Sequence, residues 1–419
     1  MRVVWTVAVA GCCLLAGCGS DGESGGGGSA GASSGGSAGV SAGGAGGSRA
    51  GSNAGGSSSA GSAGRGVGGA AGTAGSSGSG GAAGGGGAAG SGGAAGSGGS
   101  AGGGGSAGSA GAPSCSLTAS GPVKATVDNQ VIEGLRITST SGPAIDIDGH
   151  AGVTVRNVEI LHAGGVGIRV ASSDDVTLDH VSVEYTDAPV MGANSSSDLL
   201  NVSCYQSARL TVKGARLTRG SSGIYLQSCP DSRLSFIEGH DFRGPFPRGQ
   251  LVQWNASDSG LLEDFSVENP PGSWPEDNVN VYKSLNVTVR RGLVDGNNSP
   301  SGVGVIFDGD TSTGRVEDVD AIRMGNGCFS NYAGADGNVF LGTRCRENVC
   351  SDQGRGAPSS NALMWAGKPG LSQIRIEQSK YYASCNGNLV WPQDSFAVLE
   401  LVEEDFTLRS AIRVAFCWE

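Results

Sequence analysis

Several residue types are scarce in this chain of 419 residues, and each shortage excludes a class of protein. Aromatic residues make up 5% of the chain and charged residues 16%. The net charge is −11, so a nucleic-acid partner is not expected, because phosphate binding needs a basic stripe. No two cysteines have Cys-x-x-Cys spacing, which argues against a zinc site.

Glycine, in contrast, is abundant, with 78 residues. Residues 19–113 are almost entirely Gly, Ser and Ala, a composition that has nothing to bury and predicts a disordered segment. Strict Gly-X-Y periodicity is absent, which excludes collagen. Residues 114–419 have an ordinary composition and are long enough for one large domain with its own core.

The N-terminus has the pattern of an export signal. Arg2 precedes a short apolar stretch, residues 3–15, that is too short to span a bilayer. The stretch ends in Leu-Ala-Gly-Cys at 15–18, which resembles the bacterial lipobox. The resemblance implies a signal peptide over 1–17, a lipid-anchored Cys18 and a tether over 18–113, with an r.m.s. span of about 50–60 Å. Gly19 in place of Asp favours the outer membrane of a Gram-negative bacterium, whereas an ordinary secretory signal is the alternative.

A sequence repeat runs through residues 114–419. A glycine is followed by apolar-x-apolar, a short polar turn and a second apolar-x-apolar segment, as at Ile145 and again at Ile168. The same register continues at Leu200, Ile224, Val252, Val279, Val305, Phe329, Leu363 and Leu389, with a weaker first repeat at Val123. No 3.6-residue period is present, which excludes an α-solenoid, and propeller blades are longer.

From Ile145 onwards, the repeat starts are 23–34 residues apart. Short strands, polar corners and steps of this length are typical of a parallel β-helix, in which each rung is one turn of three short strands. The pattern resembles the right-handed parallel β-helix superfamily that contains the pectate lyases. We therefore predict an all-β, right-handed parallel β-helix of about ten to eleven rungs over 114–419. Members of that superfamily include lyases, hydrolases, epimerases and non-catalytic adhesins, so the fold leaves the reaction open.

The repeat and the cysteine count also predict disulfides. Eight cysteines remain after Cys12, Cys13 and Cys18 are set aside, and an exported protein with this number is expected to form up to four disulfides. Cys204 and Cys229 follow adjacent repeat starts by four and five residues, which predicts a disulfide between them. The pairing of the other six is left open.

Polar side chains are concentrated on one face of the middle repeats. If the repeat starts point inward, the next residue and the one two positions later point outward. In the middle repeats these outward positions are Tyr225, Gln227, Gln253, Asn255, Asn280, Tyr282 and Asp308. Aromatic and amide side chains suit sugar rings through stacking and paired hydrogen bonds, so this face is predicted to bind a glycan.

Chemistry is best placed at residues 248–254 and 275–284, which resemble a signature of one group of bacterial β-helix proteins. Gln250 and Asp277 each precede a repeat start by two residues and should stack on adjacent rungs. Lys283 or Arg248 beside carboxylates would suit a polysaccharide lyase, and Glu276 with Asp277 would suit a glycosidase. The plain alternative is that these are corner residues and that Lys283 pairs with Asp277.

The expected function is therefore that of a surface-anchored lipoprotein that binds a polysaccharide and possesses, in the enzymatic interpretation, lyase or glycosidase activity. A non-catalytic adhesin or structural surface module is the alternative. No cofactor is predicted; calcium at Asp308-Gly309-Asp310 is an option, although an Asp-Gly turn is the commoner explanation. The expected partners are a polysaccharide and the membrane, and the expected state is a monomer. His180 falls at the position of Asn157 one repeat earlier, which predicts a corner residue.

Overall fold

The computed structural model describes residues 115–188, 198–244, 248–271, 273, 275–297, 302–324, 326–332, 335–347, 364–366, 373–383, 389–391 and 395–419. These residues form 24 β-strands and no helix. None of them therefore belongs to a helix with the length and hydropathy needed to cross a membrane. The predicted signal peptide, Cys18 and the tether lie outside the described residues.

The strands form two parallel sheets, and the chain alternates between them. Sheet A contains β1 Thr118–Ser120, β3 Val131–Ser139, β5 Thr154–His162, β7 Thr177–Tyr185, β9 Thr211–Thr218, β11 Arg233–His240, β13 Leu261–Glu268, β15 Val287–Asn297, β17 Gly314–Met324, β19 Val339–Leu341, β20 Arg344–Arg346, β22 Ile374–Tyr382 and β24 Phe396–Glu403. Sheet B contains β2 Val123–Lys124, β4 Ile145–Asp148, β6 Ile168–Ala171, β8 Val202–Tyr205, β10 Ile224–Gln227, β12 Val252–Asn255, β14 Val279–Tyr282, β16 Val303–Asp308, β18 Gly327–Asn331, β21 Met364–Ala366 and β23 Val390–Trp391. The predicted all-β parallel β-helix is confirmed.

Most long strands of sheet A are two short strands joined at a single bend residue. The pairing of β7 with β9 shows this, because it runs from Asp179↔Lys213 directly to Val181↔Ala215 and omits one residue of each strand. The omitted His180 has a left-handed backbone with φ of 52°, as predicted for a corner. With the sheet B strand, each such rung has the three short strands expected of a β-helix.

The core is a stack of apolar side chains between the sheets. Ile145, Ile168, Ile224 and Val252 occupy one inward column and are fully buried. Burying a side chain of this size stabilises the fold by about 1.5–3 kcal/mol. Trp254 fills the core of the next column, where its Nε1–H donates to Ser232 Oγ at 3.1 Å.

The predicted register holds in the middle of the domain and shifts elsewhere. Val202, rather than Leu200, pairs with both Ile168 and Ile224, because the insertion before β8 is two residues longer than assumed. Near the C-terminus Val390, rather than Leu389, pairs with a neighbouring strand; a one-residue shift exchanges inward and outward side chains. Leu363 lies outside the described residues.

Three disulfides join described residues. The predicted Cys204–Cys229 bond is present. Two others, whose pairing the sequence leaves open, join Cys328 to Cys345 and Cys115 to Cys417. Cys350 and Cys385 lie outside the described residues.

A C-terminal strap, defined here as residues 404–419, runs back over sheet A towards the start of the domain. The Arg409 N–H donates to Asp320 Oδ2, the Ile412 N–H to Ser266 Oγ and the Val414 N–H to Glu238 Oε2. The Cys115–Cys417 disulfide fixes its end to the first described residue, 302 positions earlier.

Candidate functional site

The outward face of sheet B carries the predicted amide and aromatic side chains in two columns. Tyr225, Gln253 and Asn280 are in register on β10, β12 and β14. The second column is Gln227, Asn255, Tyr282 and Asp308. Neighbouring members of a column are about 4.8 Å apart, because that is the spacing of paired strands.

Side chains of this face bind to one another across the rungs. Asn255 Nδ2 donates to the Tyr225 hydroxyl at 2.9 Å, and that hydroxyl lies 3.4 Å from Gln227 Oε1. The guanidinium carbon of Arg248 lies 4.3 Å from the centre of the Tyr225 ring, and Arg248 Nη1 donates to Gln253 Oε1 at 3.3 Å. Arg248 therefore connects two neighbouring rungs.

The face is recessed rather than flat. Tyr225 and Gln253 are each 8% exposed and Asn280 is 3% exposed, whereas Gln227 and Tyr282 are half-buried. The outward side chains of the first column are therefore largely covered by other parts of the protein. Two buried polar atoms on this face, Asn280 Oδ1 and Arg248 Nε, have no hydrogen-bond partner among the described residues.

Two carboxylates lie where the chain enters β14. Asp277 is buried, and both of its oxygens accept hydrogen bonds, Oδ1 from the Val303 N–H at 3.0 Å and Oδ2 from Asn280 Nδ2 at 2.8 Å. Glu276 is half-buried, and its Oε2 accepts a hydrogen bond from Gln250 Nε2 at 3.0 Å. Gln250 and the Glu276–Asp277 pair therefore lie on adjacent rungs, as the repeat predicts.

Burial and mutual repulsion favour the protonated form of these acids. Loss of solvent, together with the charges of Asp277 and Asp308, raises the pKa of Glu276, and Arg248 opposes this only in part. Burial likewise raises the pKa of Asp277 and the pKa of Asp308. The site thus contains three acidic groups that cannot all be ionised at little cost.

Lys283 lies at the other end of β14 from Asp277. It is an exposed corner residue with φ of 49°, and its Nζ is 5.1 Å from the centre of the Tyr282 ring. Five residues, 278–282, separate it from Asp277, and four of them form β14, a strand about 13 Å long. A hydrogen bond to Tyr282 raises the pKa of Lys283, so its ammonium form is favoured.

The Asp308-Gly309-Asp310 segment has the geometry of an Asp-Gly turn. Asp308 Oδ1 accepts the N–H of Gly309 at 2.7 Å, and Gly309 has φ of 84°. Within the part of the chain that the structure describes, no three His, Cys, Asp or Glu side chains are grouped as a metal site.

Sequence reasoning missed Ser222, which supports the site from the rung before. Its hydroxyl donates to Gln250 Oε1 at 3.0 Å and accepts the Gly249 N–H at 2.9 Å. Ser222 precedes Ile224 by two residues, the same offset that links Gln250 and Asp277 to their own rungs, so the repeat contained the signal.

The sequence matches no protein-family model and no curated protein. Among solved structures, the catalytic domain of Agl-KA shares 10% identity at a TM-score of 0.39, covering 68% of this chain and 54% of its own. An alginate lyase from Paenibacillus sp. str. FPU-7 shares 11% identity at a TM-score of 0.29, covering 59% of this chain and 93% of its own. This chain thus spans about half the length of the first. At these identities the likeness concerns the fold and leaves the reaction open.

Proposed function

We propose that the domain binds a polysaccharide along the outward face of β10, β12 and β14 and hydrolyses its glycosidic bonds. The observation that carries the proposal is the grouping of Glu276, Asp277 and Asp308, all with raised pKa values, beside stacked amide and aromatic side chains. Glycoside hydrolysis uses one protonated and one ionised carboxyl group. Repulsion between neighbouring carboxylates keeps one of them protonated while another is ionised, which supplies both forms.

The contacts suggest different roles for the three acids. Glu276 is half-buried with a raised pKa, which suits a general acid that protonates the leaving oxygen. Asp308 is half-buried in the outer column and is assigned as the second carboxylate. Asp277 has both oxygens bound within the protein, so we assign it a positioning role: it holds Asn280 and raises the pKa of Glu276.

The remaining members of the face are assigned to substrate binding. Tyr282 is half-buried and offers a ring face, whereas Tyr225, Gln253 and Asn280 are nearly covered and form the floor of the face. Gln227 and Asn255 extend the polar surface across the neighbouring rungs, and buried Gln250 supports it through its hydrogen bonds with Ser222 and Glu276. Asn280 Oδ1 and Arg248 Nε are buried without a partner among the described residues, which favours a polar ligand here, because such atoms are costly when unpaired.

The geometry favours hydrolysis over elimination. A lyase needs a base near the proton α to a uronate carboxyl and cations on that carboxyl, whereas Lys283 lies beside Asp308, at the end of β14 away from Glu276 and Asp277. Incubation of the full chain with a panel of neutral and uronate glycans tests this. New reducing ends without unsaturated sugars support hydrolysis, and unsaturated sugars would instead assign Lys283 and Arg248 to a lyase.

A second candidate is a binding or structural module without catalysis. Its support is that Tyr225, Gln227 and Asn255 already satisfy one another by hydrogen bonds, as in a structural ladder. Binding of a glycan from the same panel with no product from any of them would establish this alternative.

We further propose that lipidation of Cys18 anchors the protein in the outer membrane. The Leu-Ala-Gly-Cys motif and the Gly/Ser/Ala segment behind it support this, since several acyl chains give firm anchoring where one does not. Cys18→Ala should move the protein from the membrane fraction to the soluble fraction. Retention of this variant on the membrane after a carbonate wash would place the anchor elsewhere.

A further inference from the structure

We infer that a groove on sheet A, remote from the face of sheet B, is a second ligand site and binds an acidic sugar ring of a glycan. The choice of ligand class rests on the proposed function. The groove has a volume of about 500 Å³ and lies between the bend of sheet A and the C-terminal strap. His180, Lys213, Gly214, Phe236 and Arg413 line it.

Phe236 is an unusual residue at its position. It occupies the bend of β11 with φ of 54° and is 55% exposed. The bend residues of other sheet A strands include Gly134, Asn157, Gly214 and Asp264, types that tolerate the left-handed backbone, whereas His180 and Arg291 occupy two further bends. A phenyl group costs more there and, at 55% exposure, gains little packing in return, so its presence points to a role outside folding.

Gly214 opens the floor of the groove between two rings. It is the bend residue of β9, and its neighbours at the same position are His180 and Phe236. The His180 ring lies over it, since a Cβ on Gly214 would be 3.4 Å from the Cδ2 of that ring. The imidazole therefore covers the buried backbone of Gly214. The phenyl ring of Phe236 lies two rungs from the imidazole, about 10 Å along the β-helix axis, and a sugar ring can stack on its exposed face.

The lining of the groove has one net positive charge, because Lys213 and Arg413 are cationic and Asp179 is acidic. Lys213 is exposed and forms no ion pair among the described residues, although Asp179 is its partner in the pairing of β7 with β9. In contrast, arginines on the same sheet have carboxylate partners, as Arg290 does with Glu263 and Arg344 with Asp320. Arg413 adds a second cation, although it already pairs with Glu238. A carboxylated sugar would supply the missing partner of Lys213.

The His180 ring completes the groove. Its Nδ1 lies 2.7 Å from Asp179 Oδ1, which fixes the ring and leaves Nε2 beside Gly214. Because the carboxylate accepts the Nδ1–H, Nε2 can accept a hydrogen bond from a sugar hydroxyl while the pyranose ring stacks on Phe236. A uronic acid unit would thus place its ring on Phe236, a hydroxyl at His180 and its carboxylate at Lys213.

Calorimetric titration of the full chain in detergent, with hexamers of galacturonate and mannuronate and with neutral cellohexaose, tests the inference. Phe236→Asn should weaken binding of an acidic hexamer at least tenfold and leave the melting temperature equal or higher, because Asn tolerates the bend. Lys213→Gln should weaken acidic hexamers more than cellohexaose. Leu399→Asn is the matched control, since Leu399 is 49% exposed on β24, outside this groove, and should change neither affinity.

Either unchanged affinity or a lowered melting temperature in Phe236→Asn overturns the inference, and so does binding of neither acidic hexamer by the wild type. Cleavage assayed on the same samples separates the two proposals. Wild-type cleavage with an affinity that Phe236→Asn does not alter refutes the groove alone. Binding that depends on Phe236, without cleavage, supports the groove and removes the hydrolase.

Discussion

Glu238 is the main polar contact between the strap and sheet A, and Glu238→Gln tests whether the strap stabilises the domain. The carboxylate accepts hydrogen bonds from Arg216 Nε at 3.2 Å, His240 Nε2 at 2.9 Å, Arg413 Nη1 at 3.1 Å and the Val414 N–H at 2.9 Å. Its side chain is only 4% exposed. Gln has nearly the same shape but removes the charge, so the arginines lose their common partner.

The size of the stability loss expected in Glu238→Gln follows from the environment of this carboxylate. Burial alone would raise the pKa of Glu238, but the hydrogen bonds from His240, the Val414 N–H and Arg216 outweigh it and lower the pKa to about 2. Against an ordinary value of 4.5, this corresponds to about 3 kcal/mol of stability at neutral pH. Breaking one side of a buried ionic network costs a similar amount, so we expect Glu238→Gln to lower the free energy of unfolding by about 2–4 kcal/mol.

Glu419→Gln is the matched control. Glu419 pairs with the same Arg216 but is 47% exposed, and exposed pairs contribute about 0–1 kcal/mol. Urea unfolding monitored by tryptophan fluorescence measures both variants. Equal losses in the two variants, or no loss in Glu238→Gln, would refute the assigned role of the buried carboxylate.

The stability that Glu238 contributes should change with pH in a definite direction. Because the pKa of Glu238 is lower in the folded state, its contribution is complete above pH 4.5 and is lost as the pH falls through about 2. The difference in stability between wild type and Glu238→Gln should therefore shrink over that interval. A difference that stays constant down to pH 2 would contradict the argument.

Two further predictions concern the core and the closure of the domain. Gly260→Ala should lower the free energy of unfolding by about 1–3 kcal/mol in the same assay, because its Cβ would clash with the Nε1 of buried Trp254. Gly121→Ala is the control and should be near neutral, because a Cβ there has no neighbour within 4 Å. Equal effects of the two variants would contradict the packing around Trp254. Cys417→Ser breaks the bond to Cys115 and should cost about 2–5 kcal/mol and speed hydrogen exchange in residues 404–419, and unaltered exchange there would contradict the clamp.

The repeat carried most of the fold because its physical basis is local. Each rung needs apolar residues at alternate positions and residues that tolerate a left-handed corner, and both requirements recur in the sequence, as Asn157 and His180 show. The predicted strand register was wrong near long insertions, as at Val202, because nothing in the local sequence indicates where the loop ends and the strand begins. The Cys204–Cys229 disulfide was predictable because stacked rungs bring such residues together.

Long-range features left little trace in the sequence. The strap contacts rungs that precede it by more than 100 positions, as Ile412 does with Ser266, and no periodicity links such residues. The burial of Tyr225 also escaped prediction, because alternation shows that a side chain points outward but not what covers it. Column membership placed Gln250 near the Glu276–Asp277 pair. No column joined Lys283 to that pair, and Lys283 lies at the opposite end of β14 from Asp277.

The most direct test of the proposed hydrolase is the turnover of Glu276→Gln. It is measured, together with affinity, on whichever glycan of the panel the wild type cleaves. Gln keeps the size of the side chain and its contact with Gln250 but cannot deliver the proton, so turnover should fall by about 10²–10⁴-fold while binding stays within a few-fold of wild type. Wild-type cleavage should also decline as the pH rises through the raised pKa of Glu276. Turnover by Glu276→Gln equal to that of the wild type would contradict the account.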